Sequence, residues 1–118
     1  MRVAIVDRFA FVAEALRAAL EQHGPIEVVG VFQDGSGATL TDVRALAPDL
    51  VLVEMKTGGA GLIRRIRAET PAARILALTA VREPNEEMAA LAAGATAYLE
   101  KGRNRKELIT AIVGSDHH

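Results

Sequence analysis

Leu50-Val51-Leu52-Val53-Glu54-Met55 is a bare apolar run that stops at a carboxylate. A continuous Val/Leu run of strand length reads as a strand covered on both faces, the central strand of a parallel sheet. In such sheets ligands and chemistry sit beyond the carboxyl ends of the strands, and Glu54 falls there.

The same pattern repeats outward from this run. Upstream, Val3-Ala4-Ile5-Val6 closes on Asp7 and is followed by Phe9, Val12, Leu16, Ala19 and Leu20 at helical spacing. Gly24-Pro25 stops that helix. Ile26 to Phe32, rich in β-branched residues with partial alternation, reads as a strand nearer the sheet edge. Asp34-Gly35-Ser36-Gly37 makes a turn, and Ser36 suits the cap of a helix that carries Leu40, Val43 and Leu46 inward and ends at Pro48.

Downstream, Lys56-Thr57-Gly58-Gly59-Ala60-Gly61 reads as a flexible loop. The helix after it buries Leu62, Ile63 and Ile66, leaves Arg64, Arg65 and Arg67 in water, and ends at Pro71. Arg74 to Ala80 is another covered strand, and Pro84 opens an Ala-rich helix that runs through Met88, Leu91 and Ala92 to Gly94. Thr96 to Lys101 is the fifth strand, and Leu108, Ile109, Ile112 and Val113 line the inner face of a last helix. Five strand-helix units in alternation predict an α/β fold: a five-stranded parallel doubly wound sheet with helices on both faces and right-handed crossovers.

A chain of 118 residues fits one domain with a single core. We assign residues 1–113 to it and residues 114–118 to a linker or tail. The net charge of -1, with both signs interspersed, gives no footprint for direct nucleic-acid binding or for an anionic membrane. The absence of cysteine excludes a disulfide scaffold and a thiolate zinc site. The N-terminus meets charge too early for a signal peptide and no apolar run is long enough to span a bilayer, so the expectation is a cytoplasmic protein.

Asp7 after strand one, Glu54 after strand three, Thr79-Ala80 after strand four and Tyr98-Leu99-Glu100-Lys101 at strand five together resemble the receiver domain of bacterial response regulators. The phrases Val-Ala-Ile-Val-Asp, Ala-Pro-Asp-Leu-Val-Leu-Val and Ala-Gly-Ala-Thr-Ala-Tyr-Leu-Glu-Lys are most similar to the subfamily with a LuxR-type helix-turn-helix output domain. The resemblance implies a flavodoxin-like fold of strand order 2-1-3-4-5. It implies a module of signal transduction and transcription regulation with no enzymatic activity of its own. The implied partners are a second copy of the chain, a C-terminal DNA-binding domain, and a histidine kinase or a small-molecule effector. In that family an aspartate after strand three takes the phosphoryl group, helped by magnesium on an acidic pair after strand one. A Thr and a Lys bind the phosphoryl oxygens, and an aromatic residue three before the Lys acts as a switch. These roles map onto Glu54, onto Asp7 and Arg8, and onto Thr79, Lys101 and Tyr98.

Two of these positions depart from the family. Arg8 stands where the second acid of the pair belongs, and a guanidinium stays protonated and repels a dication. Glu54 moves the acceptor carboxylate out by one methylene, and near-attack geometry tolerates little displacement. We therefore expect no cofactor, with magnesium binding weak or absent. We also expect Glu54 to reach Lys101 and Thr79 and to be neutralised by Lys101 and Arg8, holding one signalling state without phosphorylation.

Plainer roles exist for the same residues. Asp7 suits a helix cap, and Glu54 suits an exposed strand-end acid paired with Lys56. The Gly58-Gly59-Ala60-Gly61 run could cradle a nucleotide at a helix N-terminus, although neither the dinucleotide pattern nor a P-loop lysine is present. A receiver gated by a small molecule is the closer alternative. His23, the one internal histidine, has no nucleophile or acid at a telling spacing.

Overall fold

The computed structural model describes residues 1–102 and 105–114. Residues 115–118 of the terminal stretch, with His117 and His118, lie outside them. The elements are β1 Arg2–Val6, α1 Ala10–Glu21, β2 Glu27–Phe32, α2 Gly37–Leu46, β3 Leu50–Glu54, α3 Met55–Glu69, β4 Arg74–Thr79, α4 Pro84–Ala93, β5 Ala97–Glu100 and α5 Arg105–Gly114. The five strands are parallel in the order β2-β1-β3-β4-β5.

β3 is central and completely buried, and its alternation splits the core in two. Leu50 and Leu52 join Val3, Ile5, Leu16, Leu20, Leu108 and Ile112 on the face covered by α1 and α5. Val51 and Val53 join Ala4, Val6, Leu62, Ile63, Ile66 and Ala90 on the face covered by α2, α3 and α4. An apolar run without polar alternation is thus a strand facing helices on both sides. Small side chains at Ala4, Ala73, Ala77, Ala90 and Ala93 let the helices lie close to the sheet.

Local chemistry sets the helix starts. Ser36 Oγ accepts from Thr39 N at 3.2 Å, and Asp34 Oδ1 accepts from Ser36 N at 2.9 Å and Thr39 Oγ1 at 2.8 Å. These bonds, those from Ser36 first, hold the Asp34 carboxyl below its ordinary value. Pro84 opens α4, with Glu86 and Glu87 in the first turn where the helix dipole favours acids.

Two sequence expectations change here. α1 buries Ala13, Leu16 and Leu20. Phe9 precedes the helix instead of lying on its inner stripe, and it is half exposed. The stretch after Glu54 is helical on both sides of a break: a first turn from Met55 and a longer segment ending at Glu69 meet at Gly59, with φ 60 and ψ -156. That backbone region is open essentially to glycine alone. A Cβ on Gly58 would sit 2.6 Å from the Leu62 Cβ, so this turn closes onto Leu62 only because position 58 has no side chain.

Candidate functional site

The parallel register brings the carboxyl ends of four strands together. Val6 pairs with Val53, Glu54 with Leu78 and Thr79 with Glu100. Asp7 follows directly on β1 and its N–H bonds Phe32 O at 2.8 Å, while Lys101 follows on β5 and its N–H bonds Thr79 O at 2.7 Å. Sequence-distant polar residues therefore meet at one end of the sheet. Asp7, Glu54 and Thr79 are each no more than 2 % exposed there.

Lys101 Nζ lies 2.8 Å from Asp7 Oδ2, and the two side chains are 13 % and 2 % exposed. The other oxygen, Asp7 Oδ1, accepts from Phe9 N at 2.9 Å. Burying an ion pair demands this close, hydrogen-bonded geometry, because either charge alone would carry a large desolvation penalty.

Glu54 bonds elsewhere. Its Oε2 accepts from Lys56 N at 2.6 Å and its Oε1 from Thr57 Oγ1 at 2.9 Å, which makes Glu54 the N-cap of α3. Thr57 Oγ1 in turn accepts from Arg8 N at 2.9 Å. A chain of hydrogen bonds therefore ties the β1 end to the β3 end.

The expected neutralisation of Glu54 by Lys101 and Arg8 is corrected by this geometry. The cause is the immediate start of α3, whose free Lys56 N–H donates to the carboxylate at the end of the longer Glu54 side chain. Arg8 contributes its backbone instead of its charge. Its side chain is exposed, with the guanidinium carbon 4.7 Å from the Phe9 ring centroid. The plainer expectation of an exposed acid paired with Lys56 is changed as well: Glu54 is buried, and its bond is to the Lys56 backbone N–H.

Thr79 Oγ1 donates to Val81 O at 2.9 Å. Tyr98 is buried, 3 % exposed, and its hydroxyl donates to Glu86 Oε1 at 2.5 Å and accepts from Glu83 N at 3.1 Å. Arg82 closes over it, donating to Tyr98 O at 3.0 Å and to Glu87 Oε1 at 2.9 Å, with the guanidinium 5.1 Å from the ring centroid. The Arg82 N–H also bonds Glu100 Oε1 at 3.0 Å. The ring is thus held inward by the start of α4.

Burial, then the bond to Glu86, pushes the Tyr98 hydroxyl above its ordinary value of 10.0. A raised folded-state value means the neutral phenol stabilises the fold fully below the unfolded value. That contribution is lost as pH rises through the folded one. Tyr98 is the sole tyrosine and the chain has no tryptophan, so tyrosinate absorbance reads it alone. We expect a midpoint above 10.0 in the folded protein and a lower midpoint in Glu86→Ala; a native-state midpoint at or below the ordinary value contradicts the inward clamp.

Sequence reasoning missed Thr57 and Arg82. Thr57 had a readable signal, because Glu54-x-x-Thr57 is a capping box written in reverse. Arg82 had none, since its partners Tyr98, Glu100 and Glu87 meet only after folding. The glycine run of the nucleotide alternative, Gly58 to Gly61, sits at a break between two helical segments at Gly59. Among the described residues no three His, Cys, Asp or Glu side chains come together to hold a metal ion, and no helix is long and apolar enough to cross a membrane.

The arrangement defines the class: a five-stranded parallel receiver fold with Asp, Glu, Thr and Lys at the ends of β1, β3, β4 and β5. The chain belongs to the response regulator receiver domain family, whose pattern it matches over residues 3–113. It is 30 % identical over 115 residues to the response regulator GacA of Pseudomonas viridiflava, covering 95 % of this chain and 53 % of the relative. The receiver domain of the putative response regulator NarL from Mycobacterium tuberculosis superposes with a TM-score of 0.86 at 30 % identity, over 97 % of this chain and 94 % of that one. A LuxR-family two-component response regulator from Aurantimonas superposes with a TM-score of 0.88 at 31 % identity, over 97 % and 83 %. The chain spans about half the length of the curated relatives it matches.

Proposed function

We propose that this chain is the receiver half of a transcription-regulating response regulator, and that its signalling state is held by internal bonds instead of magnesium-dependent phosphorylation. The observation that carries this reading is the occupancy of all four carboxylate oxygens at the site. Asp7 Oδ1 and Oδ2 hold Phe9 N and Lys101 Nζ, and Glu54 Oε1 and Oε2 hold Thr57 Oγ1 and Lys56 N. Magnesium prefers an octahedron of oxygens and takes carboxylates, phosphate and water. This donor set fits it poorly: position 8 supplies a permanently charged arginine where a second carboxylate would be needed, and each oxygen of the two acids already shares its lone pairs with a protein donor. A phosphoryl acceptor also needs a free, aimed oxygen, and the cap holds Glu54 toward α3.

In this reading Glu54 occupies the acceptor position and Asp7 and Arg8 the acidic-pocket positions. Thr79, Tyr98 and Lys101 keep the anion-binding and switch positions. The domain acts as a regulatory and dimerisation module for a C-terminal DNA-binding domain. Met88 and Leu91, 69 % and 44 % exposed on α4, supply apolar surface for a second copy. Incubation with acetyl phosphate and magnesium followed by intact mass measurement tests the proposal. The expected result is unmodified protein, and a stable phosphoryl adduct on Glu54 overturns it.

A further inference from the structure

Asp34-Gly35 is the one Asp-Gly step in the sequence, and the sequence has no Asn-Gly step. It joins β2 to α2, and Asp34 is exposed. Packing favours glycine at position 35. A Cβ there would sit 3.0 Å from Leu62 Cδ2, and the Gly35 carbonyl accepts from Arg65 Nη1 at 3.4 Å.

An aspartate followed by glycine is chemically weak, because no Cβ shields the next amide nitrogen. That nitrogen can attack the aspartyl Cγ: a C–N bond forms, and the nitrogen's proton leaves with the carboxyl hydroxyl as water. The cyclic imide then takes water back at one of its two carbonyls. One route restores aspartate. The other leaves isoaspartate, with the main chain running through the former side-chain methylene. Water is the only co-reactant. The attack needs a neutral carboxyl, since an ionised one has no hydroxyl to lose, and a side chain free to turn toward the Gly35 nitrogen.

The fold opposes both conditions. Asp34 Oδ1 accepts from Ser36 N at 2.9 Å and from Thr39 Oγ1 at 2.8 Å. Donors on a carboxylate favour its ionised form, and these two tie the side chain to the start of α2. Thr39 is itself buried, beside buried Leu40, so this tie is anchored in the packed part of the helix.

We propose that Asp34 is a site of aspartyl isomerisation, and that the Ser36 N–H and the Thr39 hydroxyl are its brake, so that the modification forms when the start of α2 opens. Local opening of a helix end is the low-cost motion of a folded domain. The isomerised residue no longer carries the carboxylate that these donors hold, so a single event removes this part of the α2 start. Its new α-carboxyl belongs to the substrate class of isoaspartyl carboxyl methyltransferases, with S-adenosylmethionine as methyl donor. The proposal uses neither Glu54 nor Lys101, and it stands or falls independently of how the receiver signals.

The test is incubation of the folded chain, and of a peptide spanning residues 31–40, at physiological temperature and pH. Isoaspartate is located by peptide mapping and counted by enzymatic methyl transfer. Among Asp7, Asp34, Asp42 and Asp49, the expected first position is 34. The folded chain is expected to react on the order of tenfold more slowly than the peptide, as two hydrogen bonds to be broken before attack imply. Thr39→Val, which removes one donor, is expected to react about two- to tenfold faster than the parent, the factor one net hydrogen bond carries. Thr39→Ser keeps the hydroxyl and is expected to keep the parent's rate. Isoaspartate first at one of the other three positions, a folded parent as fast as the peptide, or a folded Thr39→Val no faster than the parent overturns the proposal. If Thr39→Val does not fold, Thr39→Ala takes its place with the same expected rise.

Discussion

Lys101→Ala is expected to destabilise the domain by about 3–5 kcal/mol, the range for removing one partner of a buried ion pair. The side chain lost is 13 % exposed, and the Asp7 carboxylate left behind is 2 % exposed. With only the Phe9 N–H remaining on it, that carboxylate must become protonated or draw water into the sheet end. For a domain of this size the loss lowers Tm by on the order of 10 °C or more. The effect belongs to the orphaned charge and not to the lost contact, so Asp7→Leu combined with Lys101→Met is expected to recover most of the stability. Apolar replacements of whole buried pairs are commonly neutral or better. Chemical denaturation of the three proteins checks this. A cost below about 1 kcal/mol for Lys101→Ala, the scale of an exposed pair, contradicts the buried geometry.

The second large effect is a gain. In Arg8→Asp with Glu54→Asp, a carboxylate replaces the guanidinium at the β1 end, and the acid at the β3 end is shortened by one methylene. The double variant is expected to respond to magnesium and beryllofluoride where the parent chain does not. A ligand at a hundredfold excess over its Kd stabilises the folded state by about 2.7 kcal/mol, which is read as a rise in Tm. The shorter acid still serves as an N-cap, since Asp is among the favoured capping residues, so the start of α3 survives. If the double variant is as unresponsive as the parent, residues 8 and 54 are not what disables the metal half, and the Lys101 pairing becomes the cause.

Most of the fold was legible because its strands are apolar on both faces and its helices are punctuated by Pro25, Pro48, Pro71, Pro84 and Gly94. The meeting of Asp7, Glu54, Thr79 and Lys101 also followed from sequence, since each ends a strand and parallel strands end together. The pairing within the cluster did not. It depended on whether Met55 starts a helix, and the Lys56 to Gly61 stretch carries three glycines, each disfavouring helix by about 1 kcal/mol relative to alanine. Packing of Leu62, Ile63 and Ile66 holds the segment after Gly59 helical, while the chain still breaks at Gly59 itself. Once a helical turn starts at Met55, the Lys56 N–H and the Thr57 hydroxyl take the Glu54 carboxylate and leave Lys101 to Asp7.

The place of Phe9 failed for a similar reason. Its spacing to Val12 and Leu16 fits a helical stripe, but α1 begins one residue later and buries Ala13 instead. Phe9 is left half exposed under the Arg8 guanidinium, and Phe11 is 88 % exposed.

The central claim is that this receiver's site is already filled by its own bonds. The most direct measurement is a titration of the isotope-labelled, unmodified chain with beryllofluoride and magnesium, observed at the amides of Asp7, Glu54, Thr79, Tyr98 and Lys101. The account predicts no saturable change at these five amides. Saturable, magnesium-dependent shifts that extend from Glu54 to Thr79 and Tyr98 would contradict it.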